Sequence, residues 1–163
     1  MILDNALILS GAVSALGVLT GQSVTGAGNV LGTNTIDIAP LTIGGNQAAD
    51  IGAGEQMNIE FSVLVAPTVG TSVQFQLIQA DDAALTSNVQ VISQTDAFPI
   101  AMLPAGTLVP LKWDRAAPYA AKRYVGVRYV NAGSIATFSV AATVMKNVQD
   151  VKNIFMKSGF AVL

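Results

Sequence analysis

The pattern of apolar and polar positions changes once along this chain. Residues 1–31, MILDNALILSGAVSALGVLTGQSVTGAGNVL, are rich in Gly, Ser and Ala and keep no sustained period. From TNTIDI (33–38) onward the period is two, the repeat of a strand whose alternate side chains face opposite sides of a sheet. MNIEFSVLV (57–65) is the clearest stretch: Met57, Ile59, Phe61, Val63 and Val65 point one way, Asn58, Glu60 and Ser62 the other. SVQFQLIQ (72–79) sets Val73, Phe75 and Leu77 against Gln74 and Gln76. RYVGVRYV (123–130) sets Val125, Val127 and Tyr129 against Arg128, and IATFSVAATVMK (135–146) aligns Phe138, Val140, Ala142 and Val144. NVQVISQ (88–94) reads as a shorter strand. TLVPLKW (107–113) reads as an edge strand, because Pro110 has no amide hydrogen to give a neighbour.

Turn signals separate these runs: IGGN (43–46), APTVGT (66–71), ADDAALTSN (80–88), PAG (104–106) and NAGS (131–134). Asn131–Ala132–Gly133, between two alternating runs, predicts a tight hairpin. No long helix fits within 33–146. Seven or eight short strands with regular turns predict an all-β sandwich or barrel. The expected organisation is an N-terminal arm over 1–31 with one helical turn near Asp4–Leu9, a β-domain over 32–146 and a C-terminal arm over 147–163. The first arm either wraps a neighbour or packs on the domain's own sheet. In the second, Val148, Val151, Ile154 and Phe155 fit an amphipathic turn, and Phe160, Val162 and Leu163 are apolar residues that need cover.

Composition sharpens the picture. The 163 residues suggest one domain. Hydrophobic residues make up 52% and charged residues only 11%, against about 25% charged in ordinary soluble chains. A surface this poor in charge is expected to lie against another surface, the alternative being a soluble monomer that keeps many Thr, Asn, Gln and Ser outside. Cys and His are both absent, which removes disulfides, thiolate chemistry and the commonest general base and metal ligand. Eight acids and no base precede Lys112, and eight bases and two acids occupy the rest. The bases are spread out and net charge is −2, so nucleic acid is not an expected partner. The split suits attraction between neighbouring subunits, or mixes within a sheet that interleaves early and late strands. MILDNALILSGAVSALGVLTG has Asp4 where a signal peptide needs a base, and its apolar run is broken by Ser10, Gly11, Ser14 and Gly17. It predicts neither export nor a membrane span.

Candidate chemistry is sparse. Asp81 and Asp82 are adjacent, and adjacent strand residues face opposite ways, so the two converge poorly on one ion. ADDAALTSN also lacks the alternating ligands, central Gly and terminal Glu of an EF-hand. A capped loop is the expectation. Asp37, Glu55, Glu60 and Asp96 are the acids available to a paired-carboxylate hydrolase, but Glu60 stands on the outward face of its strand with no aromatic wall nearby. GAGN and IGGN open no phosphate-binding unit. Trp113, Tyr119, Tyr124 and Tyr129 either form a stacking platform for sugar or nucleic acid or, more simply, seal the core. No catalytic residue, metal ligand or cofactor site emerges; binding and assembly are what is left.

The order of features along the chain resembles a known family. MILDNALILSGA opens it, TNTIDI follows an arm, and IGAGEQMNIEFSVLV leads from a Gly-containing turn into the longest strand. SVQFQLIQADDAALT, IAMLPAGTLVPLKW, KRYVGVRYVNAG, KNVQD and SGFAV complete the series. Together these are similar to the capsid cement, or decoration, proteins of tailed bacteriophages, of the Bordetella-phage type. The resemblance implies a jelly-roll β-sandwich on the exterior of the virion, made in the host cytoplasm. It implies partnership with the major capsid protein and with further copies, as a homo-dimer or homo-trimer on symmetry axes, and no membrane partner. On that reading Ile2, Leu3, Phe155 and Phe160 are the expected interface anchors in the arms. The rival reading is a receptor- or carbohydrate-binding β-module of a phage tail or fibre, which needs an exposed aromatic patch near Trp113.

Overall fold

The computed structural model describes residues 5–38, 42–43, 46–47, 57–113 and 122–146. Its strands in chain order are β1 (Ile8–Ser10), β2 (Ala12–Val13), β3 (Leu19–Thr20), β4 (Gln22–Ser23), β5 (Gly26–Leu31) and β6 (Ile36–Asp37). Then come β7 (Thr42–Ile43), β8 (Asn46–Gln47), β9 (Met57–Thr68), β10 (Ser72–Ala80) and β11 (Gln90–Gln94). The series ends with β12 (Phe98–Pro99), β13 (Leu108–Trp113), β14 (Tyr124–Ile135) and β15 (Thr137–Met145). Among the described residues the only helical pieces are two 3-10 turns, Asn5–Leu7 and Ile100–Met102.

Two antiparallel sheets form the sandwich. One runs β1-β15-β9-β13 with β4 also on β15; the other runs β11-β10-β14-β5 with β12 on β10 and β6 on β14. β1 and β4 share one flank of β15. Ile8 faces Thr143 and Ser10 faces Ala142; Gln22 then faces Val140 and Ser23 faces Ser139. They are one strand with an excursion in the middle. Counted that way, the eight main strands lie 1-8-3-6 in one sheet and 2-7-4-5 in the other. This is a jelly-roll order, in which chain neighbours alternate between sheets except for the hairpin of the fourth and fifth strands.

The two-residue period predicts the core well. Ile59, Phe61, Val63, Val73, Phe75, Leu77, Val125, Val127, Tyr129, Phe138, Val140, Ala142 and Val144 all point between the sheets and are buried. Phe75 is the hub. Its ring centroid lies 4.9 Å from Phe61, 5.8 Å from Tyr129, 6.1 Å from Phe98 and 6.5 Å from Phe138. Three of these pairs are edge-to-face, the arrangement that sets positive ring edges on negative faces. β13 is an edge strand, and its Pro110 is exposed.

Four expectations need correction. Residues 8–31 are part of the β-domain and not an arm before it: β1, β4 and β5 supply the first two strands of the jelly roll, and Ile8, Leu9 and Val24 are buried. The short pieces between glycines hide their period. Val65 does not point inward; it is 49% exposed. Val140 faces Val63 and Ser139 faces Val65, so Leu64 is an extra residue, and such a bulge turns the side chain that follows it to the opposite face. Glu60 points away from the core as expected, yet it is 0% exposed. It shares a buried outer face with Ile8, Ser62, Ala141, Thr143 and Met145. Finally, Asn131–Gly133 is no hairpin. β14 runs through it to Ile135 and pairs with β10 and β5, whereas β15 pairs with β9 in the other sheet. The turn signal marks a slip in the β14–β5 ladder between Asn131 and Ile135. The chain changes sheets at Ala136, whose N–H donates to Thr68 O at 2.9 Å.

Candidate functional site

The acidic loop after β10 is a structural cap. Asp82 Oδ1 accepts from the Ser87 N–H at 2.6 Å and the Thr86 N–H at 2.9 Å, and Oδ2 accepts from the Thr86 hydroxyl at 2.8 Å. These bonds, the Ser87 amide first, hold the Asp82 carboxyl below its ordinary range. Asp81 turns away to Lys122 Nζ at 2.8 Å and Asn88 Nδ2 at 2.7 Å, and its carboxyl is likewise lowered, chiefly by Lys122. The capped loop folds Leu85 back over the outer face of the second sheet. There Leu85, Ile78 and Ala80 make a satellite core with Leu31, Val89, Val91 and Tyr124. Gly126 gives Leu85 its room, since a Cβ there would overlap Leu85 Cδ1.

Opposite charges from the two halves of the sequence meet within one molecule at this end. Arg123 grips both oxygens of Asp37, with Nε at 3.0 and 3.2 Å and Nη2 at 2.9 Å. That pairing raises the guanidinium pKa further. The same guanidinium carbon lies 5.1 Å from the Tyr124 ring centroid. Early acids and late bases are thus mixed by strand interleaving.

The aromatic residues serve the core. Trp113 is 4% exposed and Tyr129 is fully buried; Tyr124 packs on the satellite core. Tyr119 lies outside the described residues. Glu60 and Asp37 stand on different sheets, and Glu55 lies outside the described residues. Among the described residues, no group of three or more Asp or Glu side chains is placed to hold a metal ion. The expected anchors Ile2, Leu3, Phe155 and Phe160 lie outside the described residues.

A different surface stands out. Between β1 and β4 the chain leaves the sheet edge, forms the β2–β3 hairpin and returns. Ala12 faces Thr20 and Val13 faces Leu19. The tip is closed by Ser14 N–H to Val18 O at 2.8 Å, Gly17 N–H to Ser14 O at 2.9 Å and Val18 N–H to Ser14 Oγ at 3.1 Å. Gly17 takes φ +75°, as the turn requires. At the base, Gly11 N–H donates to Thr33 Oγ1 at 3.0 Å and Thr20 Oγ1 donates to Ala12 O at 2.9 Å. Asn34 Nδ2 donates to Ile8 O at 2.9 Å, fixing the 33–34 segment under the hairpin. Leu16 at the tip is 91% exposed and Val18 is 58% exposed. The sequence reading missed this finger. Its signals were Gly11 and Gly21 bracketing SALG.

The Bbp16 family model matches residues 18–152, more than four-fifths of the chain. No curated protein matches it.

Proposed function

The chain belongs to the Bbp16 family, a family of Bordetella phage proteins, and on that premise we propose that it is a capsid cement protein. In this role it sits on the outside of the phage head and bridges neighbouring major capsid proteins. The observation that carries the reading is an uncharged stretch near the N-terminus. Residues 5–36 contain no charged side chain, form the first two strands of the jelly roll and hold Leu7, Leu16 and Val18 out to solvent. Apolar side chains held out to solvent on a surface this poor in charge support a contact with another macromolecule there. A cement protein needs no reaction chemistry. It needs preference for the assembled shell, which then stabilises that shell by mass action, and many weak sites on one lattice act together. Burial of Trp113, which a carbohydrate-binding module would need on its surface, supports the cement reading over that rival.

Co-sedimentation tests the role. The purified protein is mixed with matching empty capsids that lack it, expanded and unexpanded. Saturable binding to the expanded shell at a fixed ratio to capsid protein, with greater heat resistance of the shell, is the expected result. Failure to bind either form would remove the cement reading. Removing residues 154–163 is expected to weaken binding while the sandwich stays folded.

A further inference from the structure

The finger between β1 and β4 adds nothing to the core of the fold that carries it. None of residues 11–21 is buried. Ser10 faces Ala142 and Gln22 faces Val140, so a single residue opposite Ala141 would continue the strand. The chain instead spends eleven residues on an excursion that sets Leu16 in water. It is also built to hold its shape: the tip bonds, the Thr20–Ala12 bond and the Gly11–Thr33 bond fix both ends. A Cβ on Gly11 would overlap Thr20 O, and one on Gly21 would overlap Ser139 Oγ, so the base closes only on glycines. A preformed element binds without first losing its own disorder.

We propose that this finger is a docking element that inserts Leu16, flanked by Val18, into an uncharged apolar socket of another protein; resting on the cement reading, that protein is the major capsid protein. Charge argues for the socket's character. With no ionic group in residues 5–36, the finger buries without stranding a charge, and it offers none to pair with a charged socket. A membrane is a poor match, since the finger carries no Trp, Tyr, Lys or Arg to sit at an interface. The hollow at the base of the finger is a poor match for a second copy's tip. It is lined by Gly11, Ala12 and Gly21 and by Thr20, Gln22, Thr33 and Asn34, small or polar residues that offer a leucine little apolar area to bury against.

The test compares wild type, Leu16→Asp and Val18→Asp in binding to empty expanded capsids. Both positions are exposed, so both variants are expected to melt at the wild-type temperature, which circular dichroism checks. Full burial of one such side chain predicts roughly ten- to hundred-fold weaker shell binding for Leu16→Asp, and a smaller loss for Val18→Asp. Wild-type binding with an unchanged Leu16→Asp would overturn the finger and leave the cement role standing. No binding by wild type would overturn both. Two controls name other occupants: a change in self-association of the free variant by analytical ultracentrifugation points to a second copy, and loss of binding to phosphatidylcholine vesicles points to a lipid surface. Either result would overturn the capsid socket.

Discussion

Gly11 and Gly17 both take positive φ, +93° and +75°, within one hairpin, yet their surroundings differ. Gly17 stands in open space, while a Cβ on Gly11 would run into the Thr20 carbonyl. Gly17→Ala is therefore expected to cost about 1 kcal/mol, the backbone penalty alone, and Gly11→Ala more, up to about 2 kcal/mol, beyond which the finger would open and leave the sandwich folded. Urea unfolding of the two variants checks this, and equal losses would contradict it. Tyr129 gives the opposite case. Burial pushes its phenol far above the ordinary value, and Ser10 eases this only slightly. The Ser10 hydroxyl is itself engaged with Gln22 Oε1 at 2.8 Å and Val140 O at 3.3 Å, and Tyr129 Oη makes no well-formed hydrogen bond. A buried hydroxyl without a good partner is a cost. Tyr129→Phe should be neutral or stabilising by up to about 1 kcal/mol, again by urea unfolding.

At the scale of elements, the loop and the finger separate cleanly. The loop belongs to the fold. Asp82→Ala should lower the melting temperature at neutral pH, because it removes three bonds and frees Leu85 from the satellite core. The sign with pH follows from the lowered carboxyl. Its stabilisation is present above the unfolded-chain value, about 3.9, and fades as the pH falls through the lower folded value. Melting curves of wild type and Asp82→Ala should therefore converge as the pH drops from 5 towards about 2; a gap that stays constant would remove the capping account. The finger, by contrast, is an addition. Replacing residues 11–21 by one residue should leave the sandwich folded, within about 2 kcal/mol of wild type in urea. A larger loss would make the excursion part of the folding unit.

At the scale of the whole molecule, stability centres on the aromatic group between the sheets. Phe75 meets Phe61, Phe98, Tyr129 and Phe138, which come from both sheets and from the segment before the 3-10 turn. Phe75→Ala should cost about 3–5 kcal/mol and lower the melting temperature by roughly 10 °C for a chain of this size. Loss of one cooperative transition, in place of a shifted one, would show that the two sheets unfold separately.

The sequence by itself determined the class of fold. A two-residue period in SVQFQLIQ, RYVGVRYV and IATFSVAATVMK can be satisfied only by strands with one apolar face, and the core is made of those residues. It also identified the Asp81–Asp82 loop as a cap and Pro110 as an edge residue, since both follow from local chemistry. Pairing was not local. Whether Asn131–Gly133 turns back or runs on depends on which strand lies opposite, and that strand is Gly26–Leu31, a hundred residues away in sequence. Leu64 is a bulge only against β15, so Val65 looked inward until its partner was known. Most of all, residues 8–31 carry too few large apolar side chains to announce two strands. They are held by backbone pairing to β15 and β14, and backbone hydrogen bonds are blind to side-chain pattern. Tertiary structure therefore decided what the irregular stretch 8–31 is: two strands of the jelly roll, with a hydrogen-bonded, uncharged finger between the two halves of the first.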